Sequence, residues 1–244
     1  MMNREKISEG IQFLSEAGLN LYAVLDCGSL PEDVALMMRE QGIRLEEYSR
    51  LVLLGHGGRR MWEALNEFGK PPHDPVDTYS LRMTKVFIDD YLGSPRHMML
   101  YPLLPIMISL QRLGELAGWS HPSPLALGIN EQYGIWFAYR SAFLTALPLP
   151  LTDDQLTQSP CDSCYDKPCI SACPSGAVQG VHQFDIYTCS DFRIIQDSPC
   201  QDRCLARMAC PYAPQHQYTL EQIRYHYGLS YQTIQRYHAK KAGK

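Results

Sequence analysis

Eight of the nine cysteines in this 244-residue chain lie between Cys161 and Cys210. The first group reads Cys161-Asp-Ser-Cys164-Tyr-Asp-Lys-Pro-Cys169-Ile-Ser-Ala-Cys173-Pro174, a C-x2-C-x4-C-x3-C-P spacing. The second comprises Cys189, then Cys200-Gln-Asp-Arg-Cys204, then Cys210-Pro211. A cubane [4Fe-4S] cluster takes four thiolates, so eight suit two clusters. Close spacing lets one loop wrap three corners of a cube, and the cysteine before proline serves the other cluster. The proline fixes that turn and removes a competing N–H donor. On this logic Cys161, Cys164, Cys169 and Cys210 hold one cluster, while Cys173, Cys189, Cys200 and Cys204 hold the other. The gaps of three and five residues in the second group depart from the bacterial ferredoxin run. Two four-cysteine zinc sites are the alternative, but zinc sites bring two short C-x2-C knuckles per metal, and two Cys-Pro closures do not follow from that plan.

Other chemistry-bearing residues are more isolated. Gly55-His56-Gly57-Gly58-Arg59-Arg60 sits between an apolar run and a helical pattern. Backbone N–H groups there could cradle a phosphate, although neither the dinucleotide spacing nor a P-loop Lys-Ser pair is present, and a plain turn explains the segment equally well. His56 alone is weak grounds for a cobalt ligand. Cys27, at a strand end, reads as a buried thiol. The tail from Thr219 carries Arg224, Arg236, Lys240, Lys241 and Lys244 among several tyrosines. Such interleaving can bind RNA, but an amphipathic helix with a solvated basic end is the favoured reading.

These groups must be positioned by a folded core. At this length folding buries roughly 70–75% of the unfolded chain's surface. Apolar residues make up 45% and charged residues 20%, which argues against disorder. A net charge of −4 argues against nucleic-acid binding through bulk positive charge. No apolar stretch reaches spanning length and no secretory signal opens the chain, so the expectation is a cytoplasmic protein with no membrane partner. A cytosolic setting disfavours disulfides, which again points the thiols to metal.

Periodicity predicts a helix over 4–18, a strand over 21–25, a helix from Pro31 to about Gln41, and a strand over 51–54 ending in the glycine-rich turn. A helix follows over 59–68, then one from Asp74, as cap, to Leu92. A strand over 98–101, a helix over 106–117 and a strand over 135–140 complete the first part. Residues 147–160, with three prolines, read as a linker. Thr219 and Gln222 form a capping-box pattern. The resulting division is a core over 1–150, a cysteine module over 151–215 and a helical tail over 216–244.

Gly118-Trp119, Leu125-Ala-Leu-Gly128-Ile-Asn-Glu-Gln-Tyr133-Gly134-Ile-Trp136-Phe137-Ala-Tyr139-Arg140 and Leu147-Pro-Leu-Pro resemble epoxyqueuosine reductase, as does Asp185-Ile-Tyr-Thr-Cys189-Ser-Asp-Phe-Arg. Asp74-Pro75-Val76-Asp77 and Trp136-Phe137-Ala138-Tyr139-Arg140 resemble the CblC-type cobalamin-processing proteins. The resemblance implies an α+β fold: a nitroreductase-like mixed sheet with flanking helices, followed by a ferredoxin-like two-cluster module. It implies clusters that pass electrons to cobalamin, with flavin mononucleotide as the other cofactor such a core can hold. Gly128, Gly134, Trp136 and Arg140 are the cofactor-binding positions it implies. Trp136 and Phe137 also read as core aromatics, and Arg140 as a salt-bridge partner. Two departures stand out. The region matching the reductase's proton-donating aspartate, Tyr101-Pro-Leu-Leu-Pro105-Ile-Met-Ile-Ser109, contains no acid, which leaves a donor such as Tyr101. The helical-repeat C-terminus of that family has no counterpart after Cys210, whereas CblC-type proteins commonly lack clusters.

The expected function is therefore an iron–sulfur oxidoreductase passing single electrons to a corrinoid. Its donor would be a reduced ferredoxin or flavodoxin, and its substrate cobalamin itself or a small molecule. A stand-alone ferredoxin-type carrier and a tRNA-modifying reductase are the alternatives. Anaerobic analysis is expected to find about eight iron and eight acid-labile sulfide per chain, four of each for each cubane. Zinc without sulfide would refute the assignment.

Overall fold

A computed structural model describes residues 4–70, 73–103, 106–152 and 158–242. The chain divides into two compact units: unit 1 is 1–120 with 137–157, and unit 2 is 121–136 with 158–244. This division departs from the linear one expected from sequence. Leu125, Ile129, Ile135 and Trp136 share a hydrophobic core with Cys169, Ala206 and Ile223, so 121–136 packs with the cysteine segment and with the tail.

Unit 1 runs α1 (Arg4–Glu16), β1 (Leu21–Asp26), α2 (Glu32–Glu40), β2 (Arg50–Gly57), α3 (Arg60–Phe68), α4 (Pro75–Val86), β3 (His97–Tyr101) and α5 (Leu110–Leu116). Unit 2 then takes two short strands, β4 (His121–Pro122) and β5 (Gly128–Ile129), before the chain returns as β6 (Phe137–Thr145). The sheet order is β1-β2-β6-β3. Every neighbouring pair is antiparallel, which corrects the expected mixed sheet. Strands β2 and β3 both run opposite to β6, so they are parallel to each other, as a helical crossover between them would suggest. Because β6 lies between them, no adjacent pair is parallel.

Strand alternation sends Ala23, Leu25, Leu51, Leu53, Leu100, Ala142 and Leu144 into one core with Val34, Ala35 and Met38 of α2. Strand β2 is buried on both faces, which explains its unbroken apolar run. Among the described residues no helix is long and apolar enough to cross a membrane.

Several boundaries moved for identifiable reasons. The β2 strand does not stop at Leu54. After a register shift at Leu54/Gly55 it keeps pairing to Gly57↔Phe137, and a Cβ on Gly55 would lie 3.0 Å from the Ala138 carbonyl oxygen. Asp74 adopts a left-handed conformation (φ 40°) and makes no side-chain cap, so only Pro75 of the expected helix start holds. The α4 helix loosens into a π turn over Phe87–Tyr91 before Gly93. Residues 106–109 are not helical. There the Gln41 amide accepts from Met107 N–H and donates to Met107 C=O, both at 2.6 Å, and Ser109 caps the shorter α5. Within the expected linker, Leu149 is fully buried and Thr152 Oγ1 accepts from Val24 N–H at 3.1 Å, while 153–157 lie outside the described residues.

In unit 2, α6 (Pro168–Ser171), the pair β7 (Val178–Gly180) and β8 (Gln183–Phe184), α7 (Ile186–Ile194) and α8 (Leu205–Met208) lead to the long α9 (Leu220–Ala242). Asp185 caps α7 by accepting from Tyr187 and Thr188 N–H at 2.9 and 3.0 Å. Thr219 caps α9 through Gln222 N–H at 3.2 Å. The Gln222 side chain does not close the expected box; its amide is buried without a hydrogen-bond partner.

Gly18 ends α1 at φ +84°, and a Cβ there would lie 2.3 Å from the Met61 backbone; Gly42 ends α2 at φ +78° with open space around it. Gly18→Ala is expected to cost about 2–4 kcal/mol, from strain plus overpacking. Gly42→Ala should cost about 1 kcal/mol, from strain alone. Urea denaturation of the two variants checks the difference.

Candidate metal centre

The second cysteine group becomes intelligible once the helices are in place. Both α6 and α8 are four residues long, and each is closed by an alanine cap that leads directly into Cys-Pro (Ala172-Cys173-Pro174 and Ala209-Cys210-Pro211). The two helices pack on each other. In α6 the third cysteine, Cys169, lies inside the first turn. In α8 its counterpart, Cys204, has moved out to the cap, where its sulfur accepts from Arg207 N–H at 3.4 Å. That displacement accounts for a gap of five residues where the first group has three.

The thiols separate electrostatically into two sets. Burial pushes Cys161 up to about 11, with Cys210, Cys169 and Cys164 adding to the rise and Lys167 opposing it. Burial raises Cys169 too, again with Cys210 and Cys164, and Cys210 feels Cys164. In the other set, burial pushes Cys189 up to about 11, with Cys204, Cys173 and Cys200 adding and Arg193 opposing. Cys200 is raised by burial and by Cys204 and Cys173. Cys173 alone is lowered: burial works against ionisation, but the Ser175 hydroxyl and the N–H groups of Val178, Ser175 and Ala177 outweigh it. Further backbone N–H donors reach Cys200 from Leu205 and Cys210 from Tyr212.

Among the described residues no group of three or more His, Cys, Asp or Glu side chains is placed to hold a metal ion. The four thiols of the second set, with Val178 and Phe184, line a cavity of about 540 Å³. Arg207 lines it too, and its Nε is buried without a hydrogen-bond partner. Thiolate-type ligands, N–H donors aimed at sulfur, an orphaned cationic donor and a cavity larger than one ion all suit a multinuclear sulfur-rich group.

Three basic side chains hold the loops. Lys167 Nζ donates to the carbonyls of Cys161 and Cys164 at 3.0 and 3.1 Å, closing the first loop. Arg193, only 6% exposed, donates to the carbonyls of Cys200, Gln201 and Tyr227 and to Ser230 Oγ at 2.8–3.1 Å. It thereby ties the second loop to α9. Arg207 lies over the rings of Trp136 and Tyr218 and donates to the Ile135 carbonyl at 2.6 Å.

Solved structures share this architecture. An epoxyqueuosine reductase bound to an epoxyqueuosine-modified tRNA-Tyr stem loop aligns over 89% of this chain and 68% of its own, at 14% identity and a TM-score of 0.56. The epoxyqueuosine reductase of Bacillus subtilis aligns over 87% of this chain and 66% of its own, at 16% identity and a TM-score of 0.58. The chain has the epoxyqueuosine reductase fold. It spans about two thirds of the length of those reductases. The C. elegans B12-trafficking protein CblC aligns over 91% of both chains at 13% identity, with a TM-score of 0.47 that decides nothing. No family model and no curated protein sequence matches.

On this epoxyqueuosine reductase fold the expected cofactor positions fall in different units. Gly128 is in β5, and Gly134 turns at φ +59° where a Cβ would lie 2.9 Å from the Tyr212 carbonyl oxygen. Trp136 is 1% exposed, in the core of unit 2. Arg140 belongs to unit 1. It is the unpaired extra residue of the β6 bulge opposite Leu54/Gly55, and bulges re-aim side chains. Its Nε donates to His56 Nδ1 at 2.8 Å, both residues being buried. His56 must therefore carry its proton on Nε2 if neutral.

Asp77, named from sequence only within the Asp74-Pro75-Val76-Asp77 stretch, joins this group. Burial raises its carboxyl, with Arg140 opposing and Asp74 adding. Tyr101 is raised by burial and by Asp77, and lowered by Arg140. Tyr227 was also passed over, as one of several tail tyrosines. Burial pushes its hydroxyl up to about 12, with Arg207 opposing and Cys204 adding. Neither role has a spacing signature in the sequence, since each depends on elements far apart in the chain.

Arg193→Ala is expected to cost unit 2 about 2–4 kcal/mol, because three carbonyls lose a charged donor at once. Hydrogen exchange should then quicken in α7 and α9 while β2 and β6 stay protected.

Proposed function

We propose that the chain is a reductase carrying two [4Fe-4S] clusters on unit 2 and delivering electrons singly to a corrinoid, or failing that a flavin, held by residues of unit 1. The observation that carries the reading is the separation of eight thiols into two sets of four, each with one member from the opposite Cys-Pro turn. When bound, such clusters take up and release one electron at a time. Cys161, Cys164, Cys169 and Cys210 would hold the first, and Cys173, Cys189, Cys200 and Cys204 the second. The surrounding N–H groups, Lys167 and Arg193 offset the negative charge that accumulates on the sulfurs.

In unit 1, Arg140 is a fixed cation suited to a phosphate or carboxylate of the acceptor. Asp77 would supply the acid missing from 101–109, since burial and Asp74 favour keeping its proton on the carboxyl, against Arg140. A stand-alone electron carrier would have no use for such a group. The electron donor would be a reduced ferredoxin or flavodoxin, and the substrate an upper ligand of cobalamin or a small organic molecule. A tRNA-modifying role is the second reading, favoured by the fold shared with a reductase solved on a tRNA stem loop.

Cys164→Ser and Cys200→Ser are each expected to lose one cluster's worth of iron and EPR signal while the other remains. Loss of both, or of neither, counts against the two-set assignment. Cobalamin added anaerobically to the reconstituted protein is expected to shift to its base-off spectrum. An unchanged spectrum with both clusters present would remove the corrinoid. Salt-sensitive tRNA binding would favour the second reading.

A further inference from the structure

The second thiol set opens onto one face of unit 2. Its cavity of about 540 Å³ is walled by α7, through Ile186 and Ser190, and by α9, through Thr233 and Ile234. Ile186 and Tyr187, in the first turn of α7 and just before Cys189, are 63% and 65% exposed. Asp185 fixes that turn by accepting from the Tyr187 and Thr188 N–H groups and the Thr188 hydroxyl at 2.7–3.0 Å. Apolar side chains of this size left together in solvent mark a contact surface. The charge beside them has one sign. Beyond Glu221 the chain contains no acid, whereas Arg224, Arg236, Lys240, Lys241 and Lys244 follow. Arg224 is engaged by Asp202 at 2.9 Å, but Arg236, Lys240 and Lys241 are exposed. His238 fastens this basic end to α7: its Nε2 lies 2.8 Å from Ser190 Oγ and 3.5 Å from the Asp191 carboxylate. Lys241 follows His238 by three residues and so shares its side of α9. The first thiol set has the opposite surroundings. Its exposed loop carries Asp162 and Asp166 around Cys164, and Lys167 is spent on the Cys161 and Cys164 carbonyls.

We propose that the face formed by the start of α7 and the end of α9 is the docking surface for an acidic one-electron carrier protein, which covers Ile186 and Tyr187 and sets its carboxylates against Lys240 and Lys241. The inference rests on the two-cluster reading above and assigns the point of electron entry to the second thiol set. No bond forms or breaks in the step: the reduced carrier loses one electron and the second cluster gains it. A chain of net charge −4 repels an acidic protein as a whole, so attraction is confined to where cations are concentrated. A small apolar centre with a charged rim is the composition of a transient electron-transfer interface, which must release its partner after each turnover. The same cations attract the phosphates of RNA, but an aliphatic Ile186 at the centre offers no ring for a base to stack on.

The test measures binding of an oxidised flavodoxin and an oxidised ferredoxin, both of net negative charge, to the immobilised, reconstituted full chain, so that no turnover is needed. Wild type is compared at equal iron content with Ile186→Asp, with the double variant Lys240→Glu/Lys241→Glu, and with Lys85→Glu in unit 1 as the control. All the substituted side chains are exposed, and an unchanged iron content shows that the fold has held. Wild type is expected to bind at least one carrier, more weakly as salt rises. The double charge reversal is expected to slow association about tenfold at low salt and to flatten the salt dependence. Ile186→Asp is expected to speed dissociation instead, and Lys85→Glu to change neither rate. Binding that is the same in all four proteins, or lost equally in Lys85→Glu, overturns the inference. So does a chain that carries both clusters and binds neither carrier at low salt, or one whose α9 cations hold tRNA alone; the two-cluster reading survives each of these results. A wild-type chain that takes up no iron and sulfide overturns that reading and this inference together.

Discussion

Bringing sulfur atoms together inside a protein is electrostatically expensive. Burial makes Cys161, Cys169, Cys189, Cys200 and Cys210 resist ionisation, and a thiolate formed nearby makes the next harder to form. The local design of unit 2 answers that cost. Backbone N–H groups converge on Cys173, a helix N-terminus is capped by the Cys204 sulfur, and Lys167, Arg193 and Arg207 stand beside the loops. The small apolar core formed by Leu125, Ile135, Trp136, Val178 and Ile223 is the wall against which those loops are fixed. Unit 2 has only short helices before α9 and two-residue or three-residue strands. Metal bound by the proposed thiol sets would therefore contribute directly to its folding free energy, as it does in other small metal-bound modules.

Unit 1 obeys a different constraint. Its sheet is covered on both sides, so polar groups within it must be satisfied by one another. His56 and Arg140 solve that problem for each other across β2 and β6. The bulge that admits Arg140 is the place where regular pairing is given up, and it brings a cation into a buried setting. Asp77 and Tyr101 arrive from α4 and β3. Polar groups drawn from four elements into one buried neighbourhood are costly to maintain, and such arrangements are common where chemistry is done.

Much of this was legible in the sequence, and the legible parts share a cause. The ends of α1, α2, α3 and α5 fall within two residues of where the sequence expects them, because Gly18, Gly42, Gly69 and Gly118 follow them with positive φ, a local requirement. The repeated Cys-Pro closures were legible too, because they follow two short helices of the same plan, also a local matter. What could not be read depended on distant partners. The mixed sheet that the resemblance implied gives way to an all-antiparallel one because β6 slips between β2 and β3, which no local pattern reveals. The start of α5 was misplaced because Gln41, more than sixty residues earlier, binds the Met107 backbone. Asp74 has every local feature of a cap, yet its left-handed backbone turns the side chain away from that duty. Tyr227 and Asp77 looked like ordinary helix residues for the same reason.

The excursion of residues 121–136 has a consequence for how the molecule can be taken apart. The polypeptide leaves the sheet unit after Ser120, contributes four apolar side chains to the cysteine unit, and comes back to lay down the strand that completes the sheet. No single scission separates the halves into self-sufficient pieces. Cleavage near residue 150 would strip one half of Leu125, Ile129, Ile135 and Trp136, and would leave the other trailing a greasy loop with nothing to cover it. The two halves are spliced rather than strung together.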